Sequence, residues 1–174
     1  MRVGVLEILR PERNRHWSHA AYAYYFLKQY ASVMPQAISV WCRQMGHDTY
    51  YATYYGQGDA KDLLPDDLDV VFISTYTQAS ALAYALAKVF RRDGVLTVIG
   101  GPHAKSFPDD CRRFFDVVVL DCDKSLLEDI LRQAPRGETV TSGRQLKDLP
   151  TVEERMPEIK TSIFARGRPY ISST

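Results

Sequence analysis

Cysteine is scarce in this chain, and its spacing says little. Cys42, Cys111 and Cys122 are odd in number and none stands in CxxC spacing. Neither a disulfide framework nor a zinc site is expected, and a reduced, cytoplasmic setting is the default. Long apolar runs are lacking too. None approaches the roughly 20 residues that a membrane helix needs. Met1–Arg10 enters a strand-like run without the apolar stretch of a signal peptide, so no membrane or export role is expected. Charge of one sign is also lacking, since 22 Lys and Arg stand against 21 Asp and Glu. That balance leaves no basic footprint for nucleic acid and no acidic tail.

Several nucleotide and catalytic motifs are absent. No GxGxxG follows the first strand-like run, and no GxxxxGK[ST] phosphate loop occurs. No GxSxG elbow or Ser/His/Asp arrangement stands out, so no catalytic residue is nominated. A phospho-accepting receiver domain would need an Asp where this chain has Ser74-Thr75. The loop after the first strand is rich in Arg, unlike the phosphate cradle of a flavodoxin.

What remains is a chain of 174 residues, 45% apolar and 25% charged, enough for one sizeable core. Most of its 11 tyrosines fall in the first third. Arg2–Leu9 is apolar and β-branched, and predicts a buried strand. Pro35 opens a helix over Gln36–Met45 that Gly46 ends. His47–Tyr54 alternates as a second strand, and Ala60–Leu64 makes a short helical turn. Asp69–Thr75, Val95–Ile99 and Asp116–Leu120 are apolar strands. Between and after them, helices are expected over Gln78–Arg92, Phe107–Phe115 and Ser125–Arg132. Ala20–Tyr30 is open between a helix and an ordered loop.

Apolar strands separated by helices mean a parallel sheet covered on both faces. The expected fold is α/β: a flavodoxin-like, doubly wound, five-stranded parallel sheet in the order 2-1-3-4-5, over residues 1–134. Residues 135–174, with Pro at 135, 150, 157 and 169, read as a linker with at most a short strand at Arg168–Ser172. Ligands of such folds sit at the carboxyl ends of the strands, where strand order reverses. That rule selects the loops Arg10–His19, Ser74–Gln78, Gly100–Lys105 and Asp121–Lys124.

Within those loops, Gly100 and Gly101 have two readings: close approach of a ligand to bare backbone, or a tight turn. Ser74, Thr75, Tyr76 and Thr77 offer hydroxyls to a ligand or to the cap of the next helix. Pro102 and His103 follow the glycine pair. No second ligand stands at metal-binding spacing from His103, and His16 with His19 lacks an acidic partner, so no metal site is expected. The aromatic run Trp17–Tyr30 reads as packing surface or, if exposed, as an interface.

The stretch from Asp69 to Leu131 resembles the cobalamin-binding domain of cobalamin-dependent radical S-adenosylmethionine (radical SAM) proteins, the superfamily of the anaerobic Mg-protoporphyrin monomethyl ester cyclases. The matching pieces are Asp69-Val70-Val71-Phe72-Ile73-Ser74, Ile99-Gly100-Gly101-Pro102-His103-Ala104, Phe107-Pro108 and Phe115-Asp116-Val117-Val118-Val119. Pro35–Trp41 looks like the family's P-x-G-L-x-x-L-A helix, with its turn at Gly46-His47-Asp48. Leu146–Pro150 and Pro169–Ser173 look like the linker and strand that lead to the family's CxxxCxxC loop. The family's Gly-Glu-Gly-Glu after the fifth strand is replaced by Asp121-Cys122-Asp123-Lys124. The DxHxxG motif of other cobalamin domains is absent.

The resemblance implies a small-molecule cofactor, cobalamin, held by residues 74–77, 100–103, Asp121 and Cys122. It also implies a radical SAM domain further along the same polypeptide, which would hold S-adenosylmethionine and a [4Fe-4S] cluster. The alternative is a domain that keeps the fold without the cofactor and serves as a docking surface for the catalytic half.

Overall fold

The computed structural model describes residues 1–9, 32–54, 59–133, 136–142 and 149–155. The Arg10–His19 loop, the aromatic run to Tyr30, the His16/His19 pair and Arg168–Ser172 lie outside the described residues.

Strand β1 (Arg2–Ile8) is the hub of the sheet. Its side chains alternate between two apolar clusters, Val3 and Val5 in one, Leu6 and Ile8 in the other. Such a strand is stable only if both faces are covered. It pairs in parallel with β2 (Asp48–Tyr54) on one side and β3 (Val70–Thr75) on the other. Beyond β3 lie β4 (Leu96–Gly100), β5 (Val117–Val119) and β6 (Glu138–Val140), all parallel, in the order β2-β1-β3-β4-β5-β6. The doubly wound α/β fold and the order 2-1-3-4-5 are as expected.

The sheet has one strand more than the sequence suggested, and β6 falls within the stretch read as a linker. Glu138-Thr139-Val140 is short, polar and at the sheet edge. An edge strand needs neither an apolar run nor a second buried face, so it carried no apolar signal.

Helix α1 (Val33–Gln44) and α5 (Lys124–Gln133) cover one face, where Trp41, Leu127 and Ile130 meet Val3, Val5, Phe72 and Val98. Helix α2 (Ser80–Arg92) covers the other, with Phe90 and Leu86 against Leu6, Ile73 and Ile99. The single helix expected at Phe107–Phe115 is two: α3 (Pro102–Ser106) and α4 (Pro108–Cys111). Phe107 lies between them at φ −137°, ψ 57°, outside the helical region, because a residue before proline is pushed out of it. A last short helix, α6 (Val152–Arg155), closes the described chain. Among the described residues, no helix is long and apolar enough to cross a membrane.

Candidate functional site

The strand order reverses between β1 and β3, and a cavity of about 410 Å³ opens beside that point on the α1/α5 face. That volume falls among small-molecule sites of about 300–1,000 Å³. Its walls are apolar: Val5, Phe72, Val98 and Val119 from the sheet, Ile38 and Trp41 from α1. Its polar groups are few, namely Ser32, Ser74, Tyr76, Lys105, Asp121 and Asp123. Lys105 and Asp121 form an ion pair, with both side chains about half exposed. The Ser74 hydroxyl has no hydrogen-bond partner among the described residues.

Strand alternation explains which residues reach the cavity. Phe72 and Ser74 on β3, and Val98 and Gly100 on β4, point to the same face. Thr75 points the other way. It is buried, and its hydroxyl donates to the Tyr76 carbonyl at 3.1 Å. Of the ten residues expected at the site, Ser74, Tyr76, Gly100, Gly101, Pro102, Asp121 and Cys122 line the cavity, whereas Thr75, Thr77 and His103 do not. Helix capping by the hydroxyls at 74–77 is not made, since neither Tyr76 nor Ala79, the residues ahead of the two helical segments, has a side-chain cap bond.

The two glycines have different jobs. Gly101 has φ +90° and ψ −174°, and a Cβ there would stand 2.9 Å from Ser74 Oγ and 3.3 Å from the Thr75 carbonyl. The turn itself needs that glycine. A Cβ on Gly100 would meet only the Val119 carbonyl, at 3.7 Å. Here the missing side chain leaves room in the cavity.

His103 belongs to a separate network on the α2 face. It is buried. Its Nε2 lies 2.6 Å from the Tyr84 hydroxyl and its Nδ1 lies 3.3 Å from Thr77 Oγ1. Tyr84 donates to Asp110 at 2.7 Å. The one phenolic proton is thus committed to Asp110, so the Tyr84 oxygen accepts from His103 Nε2–H and Nδ1 accepts from Thr77. The chain of bonds ties the turn after β3 to the turn after β4, which together form part of the cavity rim. Burial, and then the bonds to Asp110 and Cys111, raise the Tyr84 phenol above its usual value, so it is no base.

Burial holds His103 below its ordinary 6.5, against the pull of Asp110. The folded chain therefore favours neutral His103, and the unfolded chain takes up the proton first. Stability from this residue is present above 6.5 and is lost as pH falls from about 7 towards 5. His47 is lowered too, by burial and by the nearby amino terminus, and adds to the same slope. Urea melts across this range are expected to show falling stability, with a shallower fall in His103→Gln. An unchanged slope in that variant would remove His103 from the account.

Cys122 lines the cavity and forms no nucleophile there. Burial and then the Asp123 carboxylate push its thiol up to about 12, and Cys42 is pushed to about 12 mainly by burial. Both thiols stay protonated at neutral pH. Asp123 is also structural. Its carboxylate accepts from the Leu126 N–H at 2.8 Å and caps α5. Among the described residues, no group of three His, Cys, Asp or Glu is placed to hold a metal ion.

Sequence reasoning passed over Trp41, Ile38, Phe72 and Leu149 in the walls. The first three carried a legible signal: apolar positions on the sheet and helix faces that converge at the switch point. Lys105 stood inside a selected loop without being singled out. No family model, curated protein or solved structure matches this chain.

Proposed function

We propose that this chain is the cobalamin-binding module of a radical SAM enzyme, and that the cavity takes the nucleotide tail of the cofactor. One observation carries the reading: an apolar cavity at the switch point, opened by Gly100 and floored by the unpartnered Ser74 hydroxyl. The tail of cobalamin ends in a flat, apolar benzimidazole, which suits walls made by Trp41, Phe72 and Val98. The corrin is too large for about 410 Å³ and stays outside. The cobalt would supply methyl transfer or ring-forming chemistry, with S-adenosylmethionine and a [4Fe-4S] cluster in a downstream domain. The residues of this chain bind, orient and exclude water. Lys105 and Asp121 meet the ligand at the mouth.

The test is titration with hydroxocobalamin and, in parallel, with cobinamide, which lacks the nucleotide tail. Hydroxocobalamin is expected to stay with the protein through desalting, and cobinamide to bind at least about tenfold more weakly. Gly100→Leu, which fills the cavity from a position with room for a side chain, is expected to abolish retention while the fold persists. Equal binding of the two corrinoids would sink the assignment of the tail to the cavity.

A second reading is favoured by the Lys105–Asp121 pair, which sets charged side chains at the mouth where the resembled family has glycines. In that reading the domain binds no cofactor and docks the catalytic half, with Tyr76, 47% exposed, on the contact surface. Binding of neither corrinoid to a well-folded chain is the outcome that selects it.

A further inference from the structure

Leu149 reaches the cavity from a part of the chain whose sequence reads as a linker. It packs against the apolar cluster of the α1/α5 face and lines the cavity wall. Pro150 follows, buried, and then α6. That helix is closed by a reciprocal cap. The Thr151 N–H donates to the Glu154 carboxylate at 2.7 Å, and the Glu154 N–H donates to Thr151 Oγ1 at 3.3 Å. None of its residues is buried, and a single turn has no stability of its own. Leu149, Pro150 and one polar contact hold it down. Gln44 Nε2, at the end of α1, donates to Glu154 at 3.4 Å, while the Gln44 carbonyl accepts from Lys124 Nζ at 2.9 Å.

We propose that Leu149–Arg155 is a strap whose seating is coupled to occupancy of the cavity. The inference rests on reading the cavity as a ligand site. An occupant gives Leu149 atoms to pack against on the side that the cavity leaves open, so binding holds the strap down. By linkage, a seated strap tightens the ligand by the same factor. The chain beyond Arg155 departs from the strap, so whatever follows is tied to a segment that responds to the cavity. A stretch that reads as a passive connector is thereby part of the binding site.

Two variants of the full chain separate the strap from a mere wall residue. Leu149→Ala removes the anchor. Glu154→Ala changes an exposed residue, removing the reciprocal cap and the Gln44 contact without touching the cavity lining. Both are expected to raise the fluorescence of the apolar dye 8-anilinonaphthalene-1-sulfonate by at least about twofold, as the cavity opens, with far-UV circular dichroism unchanged. With hydroxocobalamin present, amide exchange at Thr151, Glu154 and Arg155 is expected to slow by about fivefold in the parent chain and not in Leu149→Ala. Unchanged dye fluorescence in both variants overturns the strap, and so does a rise in Leu149→Ala alone, which marks a wall residue only. Failure of hydroxocobalamin to bind defeats the cobalamin reading instead, while the dye result still decides the strap.

Discussion

Gly101→Ala is expected to destabilise the fold by about 2–4 kcal/mol, whereas Gly100→Ala is expected to be neutral or to stabilise by up to about 1 kcal/mol. Gly101 occupies a region of backbone space that is almost reserved for glycine, at φ +90°, ψ −174°. Forcing an L side chain there costs about 1–3 kcal/mol by itself. The new methyl would also press on the Thr75 carbonyl at 3.3 Å and the Thr75 nitrogen at 3.4 Å, backbone atoms of a central strand that cannot swing away. Ser74 Oγ, at 2.9 Å, can rotate, but into the cavity. At Gly100 neither penalty applies. The methyl makes an ordinary contact at 3.7 Å, and the unfolded chain loses some of glycine's freedom. Urea denaturation of the two variants measures the difference directly. Equal losses would show that the pair acts as one turn and that Gly100 is no opening.

That division of labour was not legible in Gly100-Gly101 as letters, because both readings of a glycine pair ask for the same residue. Backbone angles and the neighbouring β3 separate them. The fold was more legible. β1, β3, β4 and β5 are apolar on both faces, and that pattern has few explanations other than a covered parallel sheet. β6 was missed because it is polar and lies at the edge. At the site, the switch-point rule led to the correct end of the sheet, and seven of the ten expected residues line the cavity. Thr75, Thr77 and His103 went astray for one reason: position in a loop or strand end does not say which face a side chain takes. Thr75 is one residue out of phase with Ser74. His103 lies two residues past a glycine whose angles turn the chain towards α2. Leu149 could not be foreseen, since its partners lie over a hundred residues earlier, on α1.

Glu7 leads to the largest expected loss. It stands in a strand that is otherwise apolar, and it is only 1% exposed. Its carboxylate accepts from the Ser32 N–H at 2.8 Å, from the Ser32 hydroxyl, and from the Tyr51 hydroxyl at 2.7 Å. No cation pairs with it among the described residues, so neutral donors do the work of satisfying a buried acid. Ser32 precedes α1 without capping it, since its hydroxyl is spent on Glu7. The carboxylate therefore pins the start of α1 to the central strand. Glu7→Ala is expected to cost about 3–5 kcal/mol, from the lost bonds to a charged acceptor and the vacated volume together. Glu7→Met fills the volume but leaves the Ser32 N–H without its acceptor, so it is expected to recover less than half of the loss. Glu7→Gln keeps one acceptor oxygen and is expected to be the mildest of the three. The same change reaches the cavity, because Ser32, Val33, Met34 and Pro35 at the start of α1 all line it. Glu7→Gln, even where folded, is therefore expected to weaken hydroxocobalamin binding. Full recovery of stability in Glu7→Met would reduce Glu7 to packing and remove its hold on α1.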